Sequence, residues 1–516
     1  MRGVCLLFIL VCLFVCPAVA QQDEPDNPPI AEKSKDKAKP REDKKEAPEP
    51  EPIVTHHQVT LNGKVLRYTT TAGRLPIKNA EGDIEAHVFF MAYTQDNPPA
   101  GRPLMFSFNG GPGSSSIWLH LGAIGPKRVK LLPDGGFPKP PFQMVDNEST
   151  WLELTDIVFI DPVGTGYSRP TKKEFGKKFW GVNEDLQSVA EFIRLYLTRY
   201  ERWGAPMFLV GESYGTTRAA GLSGYLMDHG IALNGIILIS TVLNFETVLF
   251  STGNDLPYEL YLPSYASAAW YHKKLPSDLQ QLPLEQVVSQ AERWSSTTYA
   301  AALGRGDHLG SDERTQIIDQ LARFTGLSKT YIANSDLRIE HQHFCKELLR
   351  DEGKTIGRLD SRFTGTDLSG VSETPDYDPS YSVIQAPFTE TFNNYVRQEL
   401  GYKTDLEYYV LGGGFKFNEW NWGSAAQGFP NVTDSLRAAM AKNAYLKLYV
   451  AQGYFDLATP FFAAEYTLAH LHLQPEVEKN VSTGLYDAGH MMYIKADALA
   501  KLKRDVSQFM QSALKQ

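Results

Sequence analysis

From about residue 54 the chain moves between two rhythms of apolar positions. Residues 58–71 and 87–94 alternate apolar with polar, the mark of half-buried strands, and Asn62-Gly63 supplies a tight turn. An antiparallel hairpin or meander is expected to open the folded part. Thereafter the strands become short continuous apolar runs: Leu104–Phe108, Asp156–Ile160, 207–210, 236–239, 446–450 and 482–486. Such runs suit strands buried on both faces of a parallel sheet. Between the second and third of them, residues 183–203 place Leu186, Val189, Phe192, Ile193, Tyr196 and Leu197 at helical spacing. Strand, helix, strand with both strands buried is the crossover unit of a doubly wound, mostly parallel α/β sheet. Residues 245–389 interrupt this alternation with helical and polar stretches, including 279–303 and 311–324. They are expected to form an inserted, largely helical cap, with the sheet built from 54–244 and 390–516. Tyr258, Tyr261, Tyr265, Trp270 and Tyr271 crowd the start of the insert, as core or as substrate-facing rings.

The first 53 residues follow neither rhythm. Arg2 precedes an apolar run from Val4 to Val15, and Pro17-Ala18-Val19-Ala20 ends in the small-x-small pattern of a signal-peptide cleavage site. Residues 1–20 are therefore expected to be removed on export to a periplasmic or extracellular space. The apolar run is shorter than the roughly 20 residues that cross a bilayer, so no transmembrane segment is expected after cleavage. Residues 21–53 are expected to be a disordered tether: 21–52 hold seven prolines, seventeen charged residues and Ile30 as the one large apolar side chain. Such a stretch has nothing to bury against the entropy of ordering it.

Composition narrows the function. With 516 residues, 42% hydrophobic, and a mean hydropathy of -0.30, the chain has ample material for a core. The balance of 51 Lys+Arg against 60 Asp+Glu gives a net charge of -9 and a pI near 5.8. That balance argues against phosphate backbones as partners, and no nucleic acid is expected. Of the four cysteines, Cys5, Cys12 and Cys16 lie in the expected signal. Cys345 alone remains, so the mature chain is expected to form no internal disulfide, and Cys345 is expected to be a buried small hydrophobe.

Chemistry concentrates at Gly211-Glu212-Ser213-Tyr214-Gly215, which follows the buried run 207–210 and leads into the helix-compatible segment 216–228. Strand, tight turn and helix are the setting of a nucleophile elbow, with the serine lifted out of an α/β-hydrolase sheet. A serine hydroxyl needs a base, and in this fold an acid and then a histidine come later in the chain. His490 fits best among twelve histidines, because it lies just beyond the final strand. Asp456, shortly after the run 446–450, is favoured as the acid over Asp487, which sits three residues before the histidine and suits a turn. The loop Asn109-Gly110-Gly111-Pro112-Gly113-Ser114-Ser115-Ser116 directly follows Leu104–Phe108 and is read as a close backbone approach to a ligand. It lacks the Lys-Ser/Thr ending of a phosphate cradle. His341-x-His343 and His470-x-His472 have no third partner in the sequence, so neither a metal nor a cofactor is expected.

Together these blocks resemble the serine carboxypeptidase family, α/β-hydrolases that remove C-terminal amino acids. The resemblance rests on Asn109 to Ser116, on Asp161-Pro162-Val163-Gly164-Thr165-Gly166-Tyr167-Ser168, on the elbow, and on Gly453 to Pro460 with Gly489-His490-Met491. It implies that Ser213, Asp456 and His490 form the triad, and that the backbone N–H groups of Gly111 and Tyr214 form the oxyanion hole. It further implies that Asn109, Gly110 and Glu212 grip the substrate's terminal carboxylate. Glu212 could do so only with a shared proton, since two carboxylates in contact cannot both ionise, and an acidic optimum follows. Departures are Ser114 where the family has cysteine, Ser107 where tryptophan is common, and Thr216-Thr217-Arg218 after the elbow. Ser114 and the missing disulfides resemble bacterial members more than vacuolar or plant ones. The expected partners are peptides with a free C-terminus, with homodimerisation left open. An esterase or acyltransferase on the same scaffold, or a catalytically silent binding protein, remain the alternatives.

Overall fold

The computed structural model describes residues 51–423 and 428–515. The expected signal, 1–20, and nearly all of the expected tether, 21–53, lie outside the described residues. β1 (Ile53–Leu61) begins one residue inside that tether and turns at Asn62-Gly63 into β2 (Lys64–Lys78). Both residues of the turn have positive φ, 49° and 78°, as a two-residue hairpin demands. β3 (Ile84–Gln95) completes an antiparallel meander. The strands that follow are β4 (Leu104–Phe108), β5 (Asp156–Ile160), β6 (Met207–Ser213), β7 (Gly235–Thr241), β8 (Lys447–Gly453) and β9 (Val481–Tyr486).

These strands form one sheet in the order β1-β2-β3-β5-β4-β6-β7-β8-β9, with Arg169–Pro170 pairing beside β3. From β5 onward every neighbouring pair is parallel. Alternation within the buried strands divides the core in two. Along β7, Ile237 and Ile239 join α8 (Ala496–Leu514) on one face, whereas Ile236 and Leu238 join α1 (Val182–Arg199) and α2 (Tyr214–Asp228) on the other. All four side chains are fully buried, each contributing about 1.5–3 kcal/mol relative to exposure. The structure is thus a doubly wound, mostly parallel sheet of the α/β-hydrolase kind.

Between β7 and β8 the chain is mainly helical. α3 (Leu256–Tyr271), α4 (Leu284–Trp294), α5 (Ser311–Thr325) and α6 (His341–Glu347) pack on one another around Tyr261, Tyr265, Val287, Leu321 and Phe344. Cys345 is buried in this cluster, and burial pushes its thiol pKa up. The aromatic group at the start of the segment serves packing: Tyr265 stacks on Phe344 and Tyr261 tilts against His341. α7 (Pro379–Asn394) behaves differently, sinking Ile384, Phe388 and Phe392 into the sheet's own core. Leu457, one residue beyond Asp456, is buried in the helical cluster, so these helices reach the C-terminal end of β8.

Candidate active site

β6 runs into α2 with no intervening loop, and Ser213 takes the bend. Its φ of 59° and ψ of -130° belong to a region that side chains with a Cβ rarely enter, at a cost of about 1–3 kcal/mol. The sequence allows the bend because Gly211 has no side chain: a Cβ there would lie 2.0 Å from the carbonyl oxygen of Gly215. Ser213 is thereby displayed beyond the C-terminal end of the sheet at the N-terminus of α2, where helix dipole and unpaired N–H groups favour negative charge.

Two later loops bring Asp456 and His490 together. Asp456 follows β8 and is fully buried; its Oδ1 accepts from the backbone N–H groups of Ala458 (2.7 Å) and Thr459 (3.0 Å). Its Oδ2 accepts from the Thr459 hydroxyl (2.8 Å) and faces His490 Nδ1 at 2.8 Å. Accepting a hydrogen bond from Nδ1–H, Asp456 fixes the tautomer in which Nε2 carries the free lone pair. Burial opposes protonation of His490, but the Asp456 carboxylate and then Glu212 outweigh it, and its pKa ends above the usual value. Asp487 is exposed and pairs with Lys495 at 2.6 Å, away from the imidazole. Thr459 lies in the block Gly453 to Pro460 but has no role in the sequence reading, although its spacing from Asp456 is that of a local turn partner.

The loop after β4 lies directly against the elbow. A Cβ on Gly110 would come within 2.3 Å of the Tyr214 nitrogen, so only glycine permits this approach. Gly111, with φ 100°, continues the loop beside it. Asn109 Nδ2 donates to Glu212 Oε2, and Asn109 Oδ1 accepts from the Leu119 N–H at 3.0 Å. The Asn109 carbonyl accepts from Arg218 Nη1 at 2.6 Å, and Arg218 Nε bonds Asp185 Oδ2 at 2.7 Å. Both members of this ion pair are buried; α1 supplies the carboxylate and α2 the guanidinium. Arg218, noted in the sequence only as a departure, thus props the loop from beneath.

Glu212 is buried with Oε1 4.0 Å from His490 Nε2, while Tyr493 donates to its Oε2 at 2.5 Å. Loss of hydration raises its pKa; His490, Tyr493 and Asn109 oppose the rise, which ends at about 7. The carboxyl therefore holds its proton in mild acid. Asn109, Gly110, Gly111, Glu212, Ser213 and His490 all line one cavity of about 280 Å³. Arg358, Asp378, Tyr381, Ile384, Leu411 and Met491 complete much of its wall. Of these only Met491 stood in a motif, because the rest lie far along the chain from every motif. Ser114 also faces the cavity, its hydroxyl accepting from Trp118 Nε1 at 2.9 Å.

The sequence profile described as "Serine carboxypeptidase" matches residues 63–496. The chain belongs to the serine carboxypeptidase family. A family relative is the "Pheromone-processing carboxypeptidase KEX1" of Saccharomyces cerevisiae, 34% identical over 159 residues, which are 28% of this chain and 20% of the relative. Another is "Serine carboxypeptidase-like 51" of Arabidopsis thaliana, 28% identical over 185 residues, 33% of this chain and 37% of that protein. The matched stretches thus span well under half of these relatives. The crystal structure of yeast KEX1(delta)p superposes with a TM-score of 0.53 at 16% identity, covering 86% of this chain and 91% of that one, which shows a shared fold. The leaning towards bacterial members is not borne out by these relatives, which are eukaryotic. Ser114 is a poor guide to lineage, since its hydroxyl simply finds local partners in Trp118 and the Ser115 carbonyl.

Proposed function

We propose that this protein is an exported serine carboxypeptidase working through Ser213, His490 and Asp456. The observation that carries the reading is the juxtaposition at one cavity of a strained, displayed serine, a histidine bonded at 2.8 Å to a buried aspartate, and a protonatable Glu212. A triad alone would suit any acyl transfer; Glu212 with Asn109 favours a substrate that ends in a carboxylate.

His490 Nε2 takes the Ser213 proton as the hydroxyl oxygen attacks the carbonyl carbon of the last peptide bond. The N–H groups of Gly111 and Tyr214 receive the negative oxygen, aided by the N-terminus of α2. His490 returns the proton to the departing amine, leaving an acyl-serine. Water, deprotonated by the same imidazole, then releases the shortened peptide. Asp456 stays ionised throughout and steadies the imidazolium. Glu212 contributes a proton to the hydrogen bond that holds the terminal carboxylate. Export rests on the sequence of residues 1–20.

The deciding experiment is mass spectrometry of an N-terminally blocked peptide incubated at about pH 5 and about pH 8, bracketing a carboxylate pair. Stepwise loss of C-terminal residues is expected, abolished by C-terminal amidation and reduced at least about 10⁴-fold in Ser213→Ala. Hydrolysis of small esters without any trimming would favour an esterase instead.

A further inference from the structure

One cation in the cavity is not consumed by the chemistry described. Arg358 is half-buried and lines the cavity together with Glu212, Ser213 and His490. Among the described residues its guanidinium has no ion-pair or hydrogen-bond partner within the usual distances. The carboxylates around it are committed elsewhere. Asp378 accepts from the backbone N–H of Arg358 (3.2 Å), of Leu359 (3.3 Å) and of Ser380 (2.9 Å). Asp360 pairs with Arg362 at 2.6 Å, and Asp456 with His490. The main chain at Arg358 is fixed as firmly: its carbonyl accepts from Leu457 N–H at 3.0 Å, and the Leu359 carbonyl accepts from His490 N–H at 2.6 Å. A charge so placed has a rigid base and an unclaimed head.

We propose that Arg358 is a specificity-determining residue that selects peptides whose departing C-terminal residue is Glu or Asp. The inference rests on the carboxypeptidase reading and adds the substrate class to it. A residue whose α-carboxylate sits at Asn109, Gly110 and Glu212 has its own side chain in this cavity, whose volume of about 280 Å³ suits a single amino acid. Leu359, Tyr381 and Ile384 offer apolar surface to the methylene groups, and Arg358 offers the planar donor fork that matches a carboxylate. A lysine or arginine in the same place meets repulsion.

The test compares kcat/KM at about pH 6, where a Glu side chain is ionised. The substrates are blocked dipeptides with one penultimate residue, ending in Glu, Gln, Leu or Lys. Wild type is expected to favour Glu over Gln by about ten- to hundredfold, the range of a charge-assisted hydrogen bond. Arg358→Gln should abolish that ratio, any effect of the lost charge on His490 changing the Gln and Leu rates by a common factor, and Arg358→Glu should favour Lys. Fluorophosphonate labelling of Ser213 in each variant shows that the site is assembled. Equal loss on all four substrates would overturn the proposal, placing Arg358 on the main chain or on His490. A wild type that trims all four without an acidic preference would also overturn it, with the carboxypeptidase reading intact. Failure to trim any of them, with small esters still hydrolysed, would remove that reading and the proposal with it.

Discussion

Glu212 carries the most information of any single residue. Burial has lifted its pKa to about 7, so it is neutral below that pH and charged above it. Only the neutral form can hydrogen-bond a terminal carboxylate, so kcat/KM on peptides is expected to fall as pH rises through about 7. Glu212→Gln, neutral at every pH, should lose that alkaline limb. Tyr493→Phe should keep the limb but move it to higher pH. The Tyr493 hydroxyl donates to the carboxylate and so favours the ionised form; without it the limb shifts to higher pH. Small ester substrates, which have no carboxylate to grip, should show neither limb nor shift. A pH series on peptide and small-ester substrates checks all three outcomes.

At the scale of elements, the notable joint is where α1 and α2 meet beneath the loop after β4. Arg218→Met leaves Asp185 buried without its partner and is expected to cost about 3–5 kcal/mol in urea unfolding. Arg218→Met with Asp185→Leu should recover most of that stability, because no charge is then stranded. Peptidase activity should stay low in the double variant, because the Asn109 carbonyl has still lost its donor. The same joint shows what could be read from sequence. The elbow, the glycine loop and the strands were legible because each is set by residues within a few positions: Gly211 beside Ser213, Gly110 beside Asn109, apolar runs bounded by turns. Asp456 was preferred to Asp487 because Asp487 sits three residues before His490 and suits a turn, and it is Asp456 that lies against His490 Nδ1. Arg218 with Asp185, Tyr493 with Glu212 and Arg358 at the cavity wall were not legible. Their partners lie 33 and 281 positions apart in the first two cases, joined only by the packing of the sheet and its helices.

As a whole molecule, the chain rests on its cores. Cys345 is free and buried among α3 to α6, and the other three cysteines fall in residues 1–20. Thermal unfolding of the chain from residue 21 onward is expected to be the same with and without reductant, and a thiol reagent should modify Cys345 only as the protein unfolds. Parallel melting curves and a labelling time course check this. The bonds at Leu359 and Asp360 reach further. His490 N–H is held by the Leu359 carbonyl and Gly489 N–H by Asp360 Oδ2, so the His490 imidazole is positioned by chain from between β7 and β8 as well as by the strand before it. A molecule with its sheet formed but that segment still loose has its serine in place and its histidine adrift. If the proposed chemistry holds, hydrolysis becomes a certificate of completed folding: a copy whose segment between β7 and β8 is not seated would cut nothing around it.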